Sequence, residues 1–201
     1  MGKGEDTRRR IIERAAALFN QRGFEGTALS DLMEATKLRK GGIYRHFDSK
    51  EELATEAFDY AWEAARQARH EGLSEIPNAV ERLKGFVKNF VEVRPPVPGG
   101  CPLMNTAIEA DDGNIVLRAH AREALRSWRE FIEATVAAGK ERGEIRVKAH
   151  GEETATMLIA GLEGALMMSR LAHSDQPLRT MQIHLNEYLE KNLRKSEPAS
   201  S

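Results

Sequence analysis

The sequence predicts an all-α fold of about nine helices. Apolar residues recur at i, i+3, i+4 and i+7 along most of the 201 residues, the spacing of one helix face. Alternating β-branched runs are nearly absent, and no Asn-Gly or Asp-Gly pair joins two of them as a hairpin would. Glycine and proline instead punctuate the chain where helices end and begin.

The elements follow in order. A first helix starts near Thr7, gathers Ile12, Ala15, Ala16 and Phe19 on one face, and stops at Gly23. Thr27 is placed to cap a short second helix through about Ala35, with Leu29, Leu32 and Met33 as its apolar contacts. A third helix, about Arg39–Phe47, follows almost at once. Ser49 and Glu52 form a capping box that opens a fourth, running through Phe58 and Trp62 to about His70. Pro77 can open the fifth at its first turn, and "RPPVPGG" stops it. A short sixth helix spans about Pro102 to Glu109. Asn114 caps a long seventh that ends near Arg142. "EETATMLIAGLEGALMMSRLA" is a nearly uncharged eighth, and Pro177 opens the ninth. Residues 196–201 read as a disordered tail.

Composition narrows the function classes. Apolar residues make up 41% and charged residues 30%, an ordinary soluble balance. No apolar run approaches the roughly 18 residues of a membrane helix, and "MGKGEDTRRR" is followed by no apolar segment of signal-peptide type. No membrane partner is therefore expected. The single cysteine, Cys101, rules out a disulfide framework within one chain and makes the cytoplasm the expected compartment. The net charge of −1 hides an asymmetry: residues 1–50 carry 11 Lys+Arg against 7 Asp+Glu, the remainder 19 against 24. A basic head on an acidic body points to an anionic partner at one end.

"KLRKGGIYRHF", residues 37–47, concentrates that charge. Gly41 and Gly42 each disfavour helix by about 1 kcal/mol relative to alanine, and Lys37, Arg39, Lys40, Arg45 and His46 surround Tyr44. Two short helices joined by three or four residues form a helix-turn-helix candidate. Its second helix would lie in a major groove with its N-terminal residues nearest the bases. Small residues there admit the DNA backbone, Lys and Arg neutralise phosphates, and Arg reads guanine as a bidentate pair. Tyr44 can reach a phosphate or a sugar edge. Lys50, in the first turn of the next helix where the macrodipole disfavours a cation, is explained by a phosphate at that site or is a merely tolerated surface lysine.

Residues 7–53, "TRRRIIERAAALFNQRGFEGTALSDLMEATKLRKGGIYRHFDSKEEL", resemble the DNA-binding domain of the tetracycline-repressor (TetR/AcrR) family of bacterial transcription regulators. The shared features are I-x-x-A-A-x-x-L-F, R-G-F-x-G-T, D-L-M-E-A, K-G-G-I-Y-R-H-F and S-K-E-E-L, in order and at matching spacing. The resemblance implies a homodimer on a palindromic double-stranded DNA operator, released by a small-molecule effector. Residues 1–49 would then bind DNA, and 50–195 would bind ligand and dimerise. It implies DNA contacts at Thr27, Lys40, Gly41, Gly42, Tyr44, His46 and Lys50, with Arg39 and Arg45 at the variable, base-reading positions. Two positions depart from the family pattern. Lys37 stands where the turn has glycine, and Arg39 where serine or threonine caps the recognition helix. An activator of the same fold, or a helical ligand-binding protein without a DNA role, are the alternatives.

Downstream, the small residues Ala155, Ala160, Gly161, Gly164 and Ala165 of the eighth helix suit close packing in a four-helix dimer interface. Phe86, Phe90, Met104, Ile108, Trp128, Phe131, Met157 and Met167 are candidate pocket residues for an apolar or aromatic effector, or simply core. Cys101 joins this set. Just before a helix it is either a thiol of lowered pKa or a buried small hydrophobe. "GGCPLMN" resembles a subgroup of the family with Gly-Cys at the start of the sixth helix, some members of which respond to electrophiles or oxidants. The histidines lack metal-ligand spacing, and no Walker loop or G-x-S-x-G is present. No catalytic residue, metal or cofactor is expected.

Overall fold

A computed structural model describes residues 2–195; the expected tail at 196–201 lies outside them. Among the described residues there are nine α-helices: α1 Lys3–Arg22, α2 Leu29–Thr36, α3 Lys40–Ile43, α4 Lys50–His70, α5 Ala79–Glu92, α6 Pro102–Ala110, α7 Ile115–Glu141, α8 Gly151–Ala172 and α9 Gln176–Tyr188. Leu73–Glu75 form a 3-10 turn and Leu189–Leu193 a π turn. The β contribution is one isolated antiparallel bridge, Ile145 with Arg194. Contacts divide the chain into two compact units, 1–67 with 95–125, and 68–94 with 126–201. This division by packing differs from the functional boundary expected at residues 49 and 50, because α4 is one uninterrupted helix and α6 belongs with α1.

Local chemistry explains most helix ends. Gly23 takes φ 78° and donates its N–H to the Phe19 carbonyl at 2.9 Å, closing α1. Asn114 Oδ1 accepts the Leu117 amide at 2.9 Å, the cap expected for α7. Ser49 Oγ accepts the Glu52 amide at 3.0 Å, but the Glu52 carboxylate reaches back to the Asp48 amide, so the box opening α4 is shifted by one residue. Two expected caps are corrected. Thr27 does not cap α2; Ala28 does, with its amide held by Asp31 Oδ2 at 2.8 Å. Pro77 does not open α5; Asn78 caps it, accepting from the Val80 and Glu81 amides at 3.0 and 3.1 Å. In both cases a neighbouring residue supplies an acceptor that reaches the free amides.

In the first unit, Ile11, Ala15, Leu32, Ile43, Phe47, Leu53 and Ala57 form one buried core. Arg8 lies over the Phe47 ring, 4.7 Å from its centroid, and pairs with Glu56. In the second unit, Leu83, Phe86, Val87, Ile132, Val136, Leu158, Leu162 and Leu185 are buried. Its C-terminal end is fastened by charge: Glu190 meets both Lys84 of α5 and Arg194, and Arg194 also reaches Glu81.

By length and composition α8 is apolar enough to cross a membrane, although Glu163 interrupts its apolar run. In this fold it packs against α9 and α5.

The hydrogen bonds from Arg194 and Lys84 hold the Glu190 carboxyl at about 2, far below its usual value. A carboxylate whose folded pKa is depressed stabilises the fold above its unfolded pKa and loses that contribution as pH falls towards the folded value. Between pH 4.5 and about 2, Glu190→Gln should therefore flatten part of the acid destabilisation. The difference from wild type at pH 7 should be about 1 kcal/mol, since this partly exposed network is screened by solvent. Urea unfolding of both proteins across that window measures it.

Candidate nucleic-acid interface

The helix-turn-helix is built from α2, the turn Lys37–Arg39, and α3. Lys37 closes α2 in the left-handed region, φ 56° and ψ 31°, where the family pattern has glycine. Arg39 is the N-cap of α3 and offers no side-chain hydrogen bond to it, as expected of a residue that cannot accept. The expected helix 39–47 is shorter than predicted. Only Lys40–Ile43 is helical, and residues 44–46 continue as a turn, with the His46 amide bonded to the Ile43 carbonyl at 2.9 Å. An uncapped start and two glycines leave little local drive to extend it.

Arg39, Lys40, Gly41 and Arg45 are exposed, and Gly42, Tyr44 and His46 partly so. The structure thus gathers seven of the nine expected DNA contacts in one segment around α3. Lys40 sits 5.9 Å from the centroid of the Tyr44 ring. Gly41 is the informative residue. A Cβ added there meets nothing within 4 Å, and its φ is not positive. Neither backbone conformation nor neighbouring atoms within the protein demand glycine there.

The other two expected contacts behave differently. Thr27 is fully buried, and its hydroxyl donates to the Gly23 carbonyl at 2.7 Å, so its side chain does not face solvent. It reads in sequence as a polar residue next to a helix start; the i−4 carbonyl claims the hydroxyl instead. Lys50 does not point at an open anion site. Its Nζ donates to the Phe24 carbonyl and lies 4.2 Å from the Phe24 ring centroid.

The nine expected pocket residues are divided between the two units. Phe86, Phe90 and Trp128 are buried, and with Phe131 and His70 they pack ring on ring at centroid distances of 4.2 to 5.9 Å. The Arg69 guanidinium lies 4.3 Å over Phe90 and 5.0 Å over Trp128. The rings form an aromatic cluster with a cation on its faces. Met157 and Met167 are exposed on α8. Cys101, Met104 and Ile108 belong to the other unit; Cys101 is fully buried, Met104 half-buried and Ile108 exposed. Helical spacing does not distinguish pocket from core; Phe86, Phe90 and Trp128 are buried and Phe131 is half-buried.

Sequence reasoning missed the residues that hold the turn after α1. Glu109 accepts the Phe24 and Glu25 amides at 2.8 and 2.9 Å, and Asn105 donates to Asn20 and Gly99. Gly23 was legible as a helix stop; nothing in the spacing marked a partner some 85 residues away.

Residues 11–57 match the family model for bacterial regulatory proteins of the tetR family. Residues 79–185 match the model for the tetracyclin repressor-like C-terminal domain. A TetR transcriptional regulator from Chloroflexus aurantiacus J-10-FL superimposes with a TM-score of 0.94 at 45% identity, over 98% of this chain and 100% of that one. A TetR-family regulator from Cytophaga hutchinsonii gives 0.90 at 33% identity, over 98% and 99%. The HTH-type transcriptional repressor DhaR of Mycobacterium sp. (strain GP1) is 25% identical over 174 residues, 85% of this chain and 86% of DhaR.

Two variants test the interface. Gly41→Ala should leave thermal stability equal or raised, by up to about 1 kcal/mol, yet weaken DNA binding in a fluorescence-anisotropy titration. Lys37→Gly with Arg39→Ser should stabilise the fold by about 1–2 kcal/mol by relieving the left-handed strain and restoring a cap. The same pair should lower DNA affinity and flatten its salt dependence; unchanged affinity at physiological salt would sink the idea that these departures serve phosphate binding.

Proposed function

We propose, from the premise that this chain belongs to the TetR family of bacterial transcriptional regulators, that it is a homodimeric repressor released from a palindromic operator by an apolar or aromatic small molecule. Residues 1–49 supply the DNA contacts, and 50–195 supply dimerisation and the effector site. The observation that carries the DNA part is Gly41, exposed and sterically unneeded, among Arg39, Lys40 and Arg45. Lys40, Tyr44 and His46 hold the backbone, Gly41 and Gly42 admit it, and Arg39 and Arg45 read base edges. Lys50 supports the phosphate contacts from behind, by holding the Phe24 carbonyl of the turn that precedes α2.

Dimerisation runs through α8 and α9. Met157, Met167, Met168 and Leu171 of α8 and Ile183 of α9 are exposed apolar residues. An open groove of about 870 Å³ runs along the start of α8, from His150 past Met157 and Gly161 to Tyr188. A second copy covers this face in our reading. The Gly100–Cys101 pair before α6 aligns the chain with the family subgroup that opens its sixth helix this way. Because Cys101 is buried here, effector release by an apolar ligand is preferred to direct attack by an electrophile.

Selection from random duplexes by the purified protein, read by sequencing, should yield a palindrome whose half-sites place two α3 helices in major grooves about 34 Å apart. Recovery of no common sequence would count against the regulator reading. Arg39→Ala and Arg45→Ala should each relax preference at particular base pairs, by about 1–3 kcal/mol per position. Met157→Glu with Met168→Glu should give a monomer in sedimentation and weaken operator binding by about 100-fold or more through lost bivalency.

A further inference from the structure

We infer that Glu109 is a positioning residue for operator binding: its carboxylate fixes the turn between α1 and α2 and so sets the helix-turn-helix in its DNA-reading arrangement. This rests on the regulator reading above. Glu109 lies in the last turn of α6. Its Oε2 accepts the Phe24 amide at 2.8 Å and its Oε1 the Glu25 amide at 2.9 Å. Two successive amides converging on one anion form a nest. Gly23 makes the approach possible, since a Cβ there would stand 2.5 Å from Oε1.

The same peptide segment is held from its other side. The Phe24 carbonyl accepts from Lys50 at the start of α4. Phe24 is therefore tied to α6 by its N–H and to α4 by its C=O. The constraint passes onward at Thr27, whose hydroxyl is bonded to the Gly23 carbonyl at 2.7 Å, next to the N-cap Ala28 of α2. One turn earlier on α6, Asn105 Nδ2 donates to the Asn20 carbonyl at 2.9 Å and to the Gly99 carbonyl at 2.9 Å. Asn105 and Glu109 are four residues apart and so share a face of α6. That face attaches to the end of α1 and its following turn through polar bonds at two successive levels. The seam beside them leaves only about 20 Å³ of space, lined in part by Phe19, Phe24, Thr106 and Glu109, room for about one water. Glu109 itself is exposed, so its bonds can open without unfolding the core beneath them.

The test compares Glu109→Ala, Glu109→Asp and Glu109→Gln in the full-length protein. Amide hydrogen exchange at Phe24 and Glu25 is measured without DNA. Affinity is measured for the selected operator and for a duplex of scrambled sequence. Alanine and the shorter aspartate should both speed exchange at the two amides and weaken operator binding by about tenfold, within the range of ordinary coupling. Binding to the scrambled duplex and the melting temperature should stay near wild type. Glutamine keeps one acceptor oxygen and should fall between. Wild-type operator affinity in Glu109→Ala, or unchanged exchange at Phe24 and Glu25, overturns the proposal. If the alanine variant does not fold, the aspartate variant decides, because it keeps the charge and loses only the reach. The exchange readout needs no operator, so a wild type that selects no DNA sequence would count against the regulator reading rather than against the clamp.

Discussion

Everything at the DNA end depends on how a four-residue helix is kept in place. A single turn has no stability of its own, because nucleation fixes several residues for one hydrogen bond. Here α3 also lacks a side-chain cap, follows a left-handed lysine and contains two glycines. What holds it is burial at its far end. Ile43 and Phe47 are almost fully buried with Ile11, Leu32 and Leu53, and each such side chain contributes about 1.5–3 kcal/mol. The order of α3 therefore comes from tertiary packing. Its exposed side is free to be chosen for charge and for closeness to a ligand rather than for helix formation.

That separation explains what was legible in the sequence. The helices themselves, the left-handed site at Lys37, the missing cap at Arg39 and the Asn114 cap were all readable, because each depends on residues within one turn. Thr27 and Pro77 were misassigned for the same reason in reverse. Several residues near a helix start could satisfy its free amides, and the geometry that selects Ala28 with Asp31, or Asn78, is not encoded in residue type alone. The shared motif from Thr7 to Leu53 gathers Arg39, Lys40, Gly41 and Arg45 on the exposed side of one segment, since in a helix-turn-helix position along the chain nearly determines position in space. Thr27 stands apart from them, buried with its hydroxyl on the Gly23 carbonyl.

The C-terminal candidates were less legible because the relevant variable was burial. Phe86, Phe90, Trp128 and Phe131 have the same spacing whether they line a cavity or fill one; what spacing does not carry is the contact of their rings with one another and with the Arg69 guanidinium. Glu109 was invisible for a different reason. An exposed glutamate near a helix end is the commonest surface residue imaginable, and its partners are backbone amides, which leave no trace in composition. Gly23 carries half of that signal, but its role as a helix stop accounts for it fully until the carboxylate is seen above it.

The eighth helix shows how one composition can serve two environments. Ala155, Leu158, Leu162 and Ala165 recur at helical spacing and are buried within the protomer. On the rest of the helix, Met157, Met167, Met168 and Leu171 are exposed and still apolar. Only 28% of its apolar window is buried. A helix that is apolar on nearly all sides needs a second apolar contact. A bilayer would supply one, but Glu152, Glu153, Glu163 and Arg170 lie along this helix, and charge in hydrocarbon is costly. In the dimer proposed above, a copy of the same surface would meet the requirement and tolerate charges at its rim. It would also generate a two-fold axis, the symmetry that would let two short recognition helices act together on one operator.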